Sequence, residues 1–329
     1  MNKIKECLKN NYKFLIALIV LILIFCIKFP YYIDAPGGIS DISNKITIEG
    51  YESSGSFNLA YVKEYRATIP TLLISLFNKD WNVYKQEEMI LDNEDAKTYF
   101  MRDRILLDES ISDAIFVAYN KASKDIEIKE NKLYVAYISD EADTNLKVGD
   151  RIVKINEIDV KSKSEISDIL NKLNAGDKIS ITVVNDDVIS EKEAYIDNDK
   201  KIGIILCEVN EYNTNPKIEI KTDSNESGSS GGLITALYIY NSLIKEDITK
   251  GLKIVGTGTI DKEGNVGSIG GVEYKLKSAV RNHADLFIVP KDENYMNAIK
   301  LKEKNGYKIK IIGVETFDDV INYLNKKDE

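Results

Sequence analysis

Cysteine and histidine are scarce in this chain of 329 residues, which contains three cysteines and one histidine, His283. Two of the cysteines, Cys7 and Cys26, lie before or within an N-terminal apolar segment, so the three cannot form a disulfide framework. No Cys/His cluster has the spacing of a zinc site, and no GxxxxGKS or GxxxxGKT phosphate loop occurs. We therefore expect no metal ion, no other cofactor and no ATPase module.

Basic residues are fewer than acidic residues in this sequence. Lysine and arginine number 44 against 53 aspartates and glutamates, which gives a net charge of −9 and a pI of about 5.0. Nucleic-acid binders usually carry a basic footprint, so this class of partner is excluded. The hydrophobic fraction of 43% is ordinary for a globular protein, and the length suits roughly two domains of about 150 residues each.

One long apolar run lies near the N-terminus, where Phe14 to Ile27 carry no charged side chain. This run alone is short for a membrane span, which needs about 20 residues. If Lys28 snorkels towards the interface, the apolar stretch extends over 14–33, with Tyr31 and Tyr32 at the level of the headgroups. The pattern predicts a transmembrane helix over 14–33.

The flanking charges predict the orientation of this helix. Four lysines precede the apolar run, so the tail over 1–13 is expected to stay cytoplasmic and all that follows to lie outside the membrane. A cleaved signal peptide is the alternative. No A-x-A site follows the run, however, and Phe25 before Cys26 is too large for a usual lipoprotein site. A retained anchor, with the lipid bilayer as a partner, is therefore the prediction.

The remaining sequence predicts an α+β fold with an α/β-like C-terminal part. A linker at "DAPGGISD" leads into one or two strands within 46–62 and a largely helical stretch over 94–122. We assign 34–123 to the linker and to the N-terminal part of a domain that 198–329 completes. Short strands and turns then fill 124–197, and strands alternate with helices over 198–329.

The segment 124–197 resembles a PDZ domain. The strand "KLYVAYIS", the turn and strand "GDRIVKIN" and the capped helix "SKSEISDILNKL" follow one another in the order of that family. PDZ domains bind peptides by adding a strand to a sheet edge. The resemblance thus implies peptide binding, although the glycine-rich carboxylate-binding loop is not obvious here. A small structural module is the alternative.

The stretch "SNESGSSGGL" places several serines before an apolar helix, and Ser230 is the last of them. Unpaired N–H groups at a helix start favour negative charge and can form an oxyanion hole. Gly231 and Gly232 allow a sharp turn and a close approach of a substrate carbonyl. Ser230 is therefore a candidate nucleophile. The alternative is that it only caps the helix.

A nucleophilic serine needs a base, and two candidates exist. Gly228-x-Ser230-x-Gly232 matches the G-x-S-x-G elbow, and the order Ser230, Asp261, His283 imitates a hydrolase triad. No HGGG-type oxyanion loop precedes it, however. The other candidate is Lys275, at the edge of an apolar helical stripe, where partial burial would lower its pKa and make it a base near neutral pH.

Two motifs, taken together, resemble those of Lon-type serine proteases. "ESGSSGGL" is similar to their nucleophile motif, normally G-P-S-A-G, and "TGTIDKEGNVGSIGGVEYKLKSA" to their lysine motif. The matching positions are Gly228, Ser230 and Gly232 in the first motif, and Thr257, Gly258, Ile269, Gly270, Gly271, Lys275 and Ala279 in the second. Ser229 replaces the usual proline and Gly231 the usual alanine.

The resemblance implies an ATP-independent serine endopeptidase with a Ser230–Lys275 dyad, in which Thr257 orients the lysine. Gly228, Gly231 and Gly232 support the nucleophile. The order of segments is similar to that of a bacterial membrane-anchored branch with a PDZ domain. This implies a catalytic domain outside the bacterial cell membrane and extracytoplasmic peptide or protein-segment substrates, held in part by the PDZ-like domain. Lon-type domains often form rings, which implies a homo-oligomer. The alternative is a tethered PDZ scaffold with a degenerate protease domain.

Overall fold

The computed structural model of the protein describes residues 11–51, 55–91, 94–185 and 187–326. Its helices are α1 (Tyr12–Cys26), α2 (Ile69–Phe77), α3 (Gln86–Met89), α4 (Ala96–Lys121), α5 (Lys163–Leu170), α6 (Gly232–Leu243), α7 (Val272–Arg281), α8 (Glu293–Asn305) and α9 (Phe317–Asn325). Its strands are β1 (Tyr31–Asp41), β2 (Ile46–Ile48), β3 (Ser56–Arg66), β4 (Asn82–Lys85), β5 (Asp125–Ile138), β6 (Arg151–Ile155), β7 (Ile158–Asp159), β8 (Lys178–Asn185), β9 (Val188–Tyr195), β10 (Ile204–Asn215), β11 (Ile218–Ile220), β12 (Lys253–Gly256), β13 (Thr259–Ile260), β14 (Val266–Gly267), β15 (Leu286–Pro290) and β16 (Lys310–Val314).

The chain divides into two compact units. The first comprises the described residues of 1–37 and 62–91, and the second those of 38–61 and 92–329. In the first unit β1 and β4 pair in antiparallel fashion. Helix α2 begins with a capping box, in which the Thr71 side chain accepts from the Thr68 N–H at 2.8 Å.

The apolar N-terminal helix is shorter than the sequence predicts. Helix α1 ends at Cys26, and Ile27 already has extended backbone angles. Its 15 residues span about 22 Å at 1.5 Å per residue, against roughly 30 Å for the hydrocarbon core. Tyr31, predicted to lie among the headgroups, instead begins β1 and pairs with Lys85 of β4.

The predicted transmembrane helix over 14–33 is therefore wrong. No helix in the described part of the chain is both long and apolar enough to cross a membrane. The physical reason lies after Cys26, because Pro30 biases the preceding residue away from the helical region and Phe29 donates its N–H to the Ala67 carbonyl. The predicted single-pass placement in the bacterial cell membrane, with an extracytoplasmic catalytic domain, depended on this helix and is wrong for the same reason. Of the predicted tail over 1–13, residues 1–10 lie outside the described residues.

A parallel sheet forms the centre of the second unit. Strand β12 pairs in parallel with the first part of β3 on one side and with β15 on the other, and β15 pairs in parallel with β16. Alternate residues of β12 point to opposite faces, as strand geometry requires. Ile254 joins the core that contains α4, α6 and α9, whereas Val255 joins the core that contains α7 and α8. Helices thus cover both faces of the sheet.

Helix α6 is the most deeply buried element of this unit. Every residue in it except Tyr240 is buried, so it is buried on all sides rather than amphipathic. The sequence prediction of a buried helix beginning beside Ser230 is confirmed. Helix α4, predicted from the composition of 94–122, packs against α6.

A second, antiparallel sheet lies in the same unit, with the strand order β10-β5-β6-β8-β9 and with β7 paired to β6. Helix α5 contributes Ile166 and Leu170 to the core of this sheet. Ser162 caps α5 by accepting a hydrogen bond from the Glu165 N–H at 3.2 Å, as the sequence predicts. Strand β10 pairs with β5 along its length and lies beyond the predicted PDZ-like segment 124–197.

The close packing of α6 on β12 predicts the effect of a single methyl group. A Cβ at Gly256 would lie 2.4 Å from Ile234 Cδ1 and 3.3 Å from Ile288 Cβ, and both isoleucines are fully buried. We expect Gly256→Ala to lower the free energy of unfolding by about 1–3 kcal/mol. Gly270→Ala is the control, because a Cβ there meets nothing within 4 Å. Urea unfolding followed by circular dichroism tests this, and equal midpoints for the two variants would contradict it.

Candidate active site

Ser230 lies in the turn that leads into α6. The helix begins at Gly232 with Gly231 as its N-cap residue, and no side chain caps it. Ser230 is therefore not the N-cap, which was the alternative role considered from the sequence. Its side chain is half-buried. The turn thus presents the residue without using its hydroxyl to end the helix.

The backbone N–H groups of this turn divide into two pairs. The Gly232 N–H donates to the Ser229 carbonyl at 3.2 Å, and the Leu233 N–H donates to the Gly258 carbonyl at 3.1 Å. Those of Ser230 and Gly231 have no partner within the described ranges. They lie at the N-terminus of a 12-residue helix, where the helix dipole favours negative charge. This pair of donors is placed to bind an oxyanion.

Lys275 lies in the first turn of α7 and is more deeply buried than the sequence suggests. Only 3% of it is exposed. Its Nζ donates a hydrogen bond of 3.1 Å to Thr257 Oγ1, and Thr257 is fully buried. The threonine hydroxyl in turn donates to the Ser230 carbonyl at 3.1 Å. The structure thus connects Lys275 to the backbone of Ser230 through Thr257.

Burial determines the acidity of this lysine. Loss of hydration disfavours the ammonium form and lowers the pKa of Lys275 from 10.5 to about 7. A substantial fraction of the side chain is then a neutral amine at neutral pH. A neutral amine can accept a proton, which is the property required of a general base.

Helix α4 contacts the turn that carries Ser230. Ser110 Oγ donates to the Ser229 carbonyl at 2.8 Å, and the Asp103 carbonyl accepts from the Gly228 N–H at 2.8 Å. A Cβ at Gly232 would lie 2.4 Å from Ser110 Oγ, so α4 can approach this closely only because residue 232 is glycine. Sequence reasoning missed Ser110.

The two other predicted supporting glycines also have structural reasons. Gly228 adopts a φ of +87°, which favours glycine over residues with a side chain. A Cβ at Gly231 would meet Leu59 Cδ2 at 3.0 Å, which is a tight contact. The alanine usual at this position in the family motif would therefore press on Leu59 in this chain.

The alternative triad residues do not meet Ser230. His283 is exposed, follows the C-terminal end of α7 and has a φ of +55°. Asp261 accepts hydrogen bonds from the backbone and side chain of Asn265. Within the ranges that the structure describes, no hydrogen bond joins Ser230, Asp261 and His283. Among the predicted bases, only Lys275 is connected to the turn that carries Ser230.

The buried lysine makes stability depend on pH in a defined direction. Below pH 7 Lys275 is protonated in both states, and the folded state bears the full cost of burying a charge. Between pH 7 and 10.5 the unfolded state holds more protons, so stability rises with pH. Relative to Lys275→Met, we expect the wild-type free energy of unfolding to increase by about 2 kcal/mol from pH 7 to 9.

Urea unfolding of both proteins at pH 6, 7, 8 and 9 measures this difference. Lys277→Met, the same replacement two residues along α7 at a less buried position, is the matched control. Wild-type and Lys275→Met curves that stay parallel over this range would contradict the assigned burial of charge.

Comparisons with known proteins agree with the predicted resemblance for the C-terminal part. Residues 217–326 match the family model of the Lon protease (S16) C-terminal proteolytic domain. The Lon protease of Malacoplasma penetrans (strain HF-2) is 37% identical over 102 residues, which are 31% of this chain. The match spans only 12% of that relative's length.

The comparison with solved structures concerns the other predicted resemblance. The crystal structure of the PDZ domain of an SdrC-like protein from Listeria monocytogenes is 26% identical. The superposition covers 24% of the present chain and 92% of the Listeria PDZ domain, with a TM-score of 0.22. A TM-score this low supports no conclusion about fold or peptide binding.

The family match includes the turn with Ser230, the hairpin after Thr257 and the helix with Lys275. Residues 217–326 are thus similar to the proteolytic domain of Lon-type serine peptidases.

Proposed function

We propose that this protein is an ATP-independent endopeptidase that works through a Ser–Lys dyad, with Ser230 as nucleophile and Lys275 as general base. The observation that carries the proposal is the hydrogen-bond chain from the buried Lys275 Nζ through Thr257 to the Ser230 carbonyl. The lowered pKa of Lys275, to about 7, supports its assignment as the base. Nucleophile, base and orienting group are the three parts that such catalysis needs.

The reaction would proceed in two stages. Neutral Lys275 takes the hydroxyl proton of Ser230 while the Ser230 oxygen attacks the peptide carbonyl carbon. The negative oxygen of the tetrahedral intermediate accepts hydrogen bonds from the Ser230 and Gly231 N–H groups. Protonated Lys275 then donates its proton to the leaving amine as the C–N bond breaks. Water, deprotonated by Lys275, hydrolyses the acyl-enzyme in the second stage.

The sequence given contains no GxxxxGKS or GxxxxGKT phosphate loop. The substrates that we propose for this peptidase are peptides and unstructured protein segments. The antiparallel sheet with α5, which includes the PDZ-like segment 124–197, would hold or select them by strand addition. Self-association into a ring belongs to the same proposal by analogy with Lon-type domains.

Covalent labelling tests the nucleophile. A fluorophosphonate probe should label the wild-type full chain, and Ser230→Ala and Lys275→Ala should each abolish labelling. Ser229→Ala and His283→Ala are the matched controls and should retain it. Loss of labelling in His283→Ala would indicate a histidine-based triad instead. An unlabelled wild type that also fails to cleave casein or a peptide library would support the scaffold alternative.

The pH dependence of activity tests the base. Because the pKa of Lys275 is lowered to about 7, kcat/KM for a peptide should rise with pH and level off above an inflection near 7. Lys275→Arg should be inactive across this range, since a guanidinium stays protonated. A profile that is flat from pH 6 to 9 would contradict a lysine base.

Thr257 should act as a positioning residue. Thr257→Val removes the hydroxyl that holds Lys275, and we expect kcat/KM to fall about 10- to 100-fold. Removal of an acceptor also destabilises the ammonium, so the inflection of the pH profile should move to lower pH. Thr257→Ser keeps the hydroxyl and should restore both properties. An unchanged inflection in Thr257→Val would show that the contact with Lys275 does not matter for catalysis.

A further inference from the structure

An open cavity of about 480 Å³ lies beside the nucleophile turn. Its walls are one side of α4, the hairpin of residues 259–267 and Ser229, the residue directly before Ser230. This volume is within the usual range of ligand pockets, roughly 300–1,000 Å³. Ser229 thus connects the cavity wall to the turn that carries Ser230.

The cavity carries an excess of negative charge. Five carboxylates line it, from Glu109, Asp113, Glu208, Asp261 and Glu263, against two lysines. Both lysines already have partners, because Lys163 pairs with Glu109 at 3.3 Å and Lys262 pairs with Glu208 at 3.2 Å. Lys163 and Lys262 therefore leave the other three carboxylates without an ion pair inside the cavity.

Asp113 contributes to the cavity a buried carboxyl oxygen without a hydrogen-bond partner in the described part of the chain. The residue is 8% exposed, and its Oδ1 is buried without a hydrogen-bond partner among the residues described. A buried polar atom without a partner is rare in folded proteins and costly. The charged groups that act on Asp113 are Lys262, Glu109, Asp261 and Lys163, and all of them line the cavity. Its carboxyl group therefore belongs to the cavity wall.

A cationic group of a ligand would both pair with the unpartnered carboxyl group and compensate the excess negative charge of the cavity. A neutral polar side chain would supply a hydrogen bond but would leave the excess charge uncompensated. An apolar side chain would leave Asp113 unpartnered and remove water from its neighbours. A lysine or arginine side chain has a long apolar stem for the wall around Leu106 and Val266, and a cationic end for the carboxylates.

We propose that this cavity is the subsite for a cationic substrate side chain, Lys or Arg, and that Asp113 is its specificity-determining residue. The proposal rests on the peptidase function proposed above. Burial raises the pKa of Asp113 to about 7, so the carboxyl group is partly protonated in the empty cavity. A bound cation would favour the ionised form and release that proton.

Matched peptides test the preference. Pairs that differ only by Arg or Gln at one position near the scissile bond are compared by kcat/KM. The wild-type enzyme should favour Arg by about tenfold or more at one position, and Asp113→Asn should bring this ratio close to one. Asp108→Asn is the matched control, since Asp108 is on the same helix but does not line the cavity. It should keep the wild-type ratio.

A binding measurement separates this proposal from the peptidase function. The probe is n-butylguanidinium, followed by ligand-observed NMR with the full chain carrying Ser230→Ala. Binding should weaken at least tenfold when Asp113→Asn is added. If no peptide is cleaved but this Asp113-dependent binding is seen, the cation subsite stands and the peptidase proposal fails.

The opposite result overturns the subsite. Peptides that are cleaved without preference for Lys or Arg, together with no n-butylguanidinium binding, would leave the peptidase in place and refute the role of Asp113. If Asp113→Asn fails to fold, Glu263→Gln replaces it, because Glu263 is exposed at the same cavity. That variant should lower the Arg-to-Gln ratio severalfold, and an unchanged ratio would also refute the proposal.

Discussion

The burial of the Lys275 side chain against Thr257 is the interaction on which the rest of the candidate site depends. An ammonium group in this position costs stability, so the surrounding packing must hold it there. Val272, Leu276 and Ala279 of α7 form that packing with the face of the parallel sheet. The same burial that is unfavourable for folding produces the lowered pKa that the chemistry requires.

The parallel sheet explains how two helices on opposite faces meet at one threonine. Helix α6 packs on one face of β12 and α7 on the other. Thr257 directly follows Gly256, the last residue of β12, and therefore lies at the carboxyl end of this strand. At that end of the sheet, residues can contact the helices on both faces. Ligand and catalytic sites of α/β sheets commonly occur at such ends. Here the strand end joins the Ser230 turn to the Lys275 side chain.

Helix α4 adds a second layer of support that also forms the neighbouring cavity. Its Ser110 fixes the Ser229 carbonyl, and one turn further on Asp113 contributes a buried carboxyl group. The turn that carries Ser230 and the acidic cavity thus share one helix, which packs against α6. A side chain bound in the cavity would therefore be held at a fixed position relative to Ser230, as preorganised specificity requires.

The sequence by itself determined the residues whose roles are encoded locally. The start of α6 beside Ser230 follows from a glycine pair before an apolar run, and Lys275 follows from its position on an amphipathic helix within a two-motif resemblance. The tertiary structure decided the rest, because those features depend on contacts between distant segments. It ended the apolar N-terminal helix at Cys26 by pairing Tyr31 with Lys85, which no hydropathy pattern reveals. It also brought Ser110 and Asp113 to the site, since a polar residue on a helix shows its partner only when another segment packs against it.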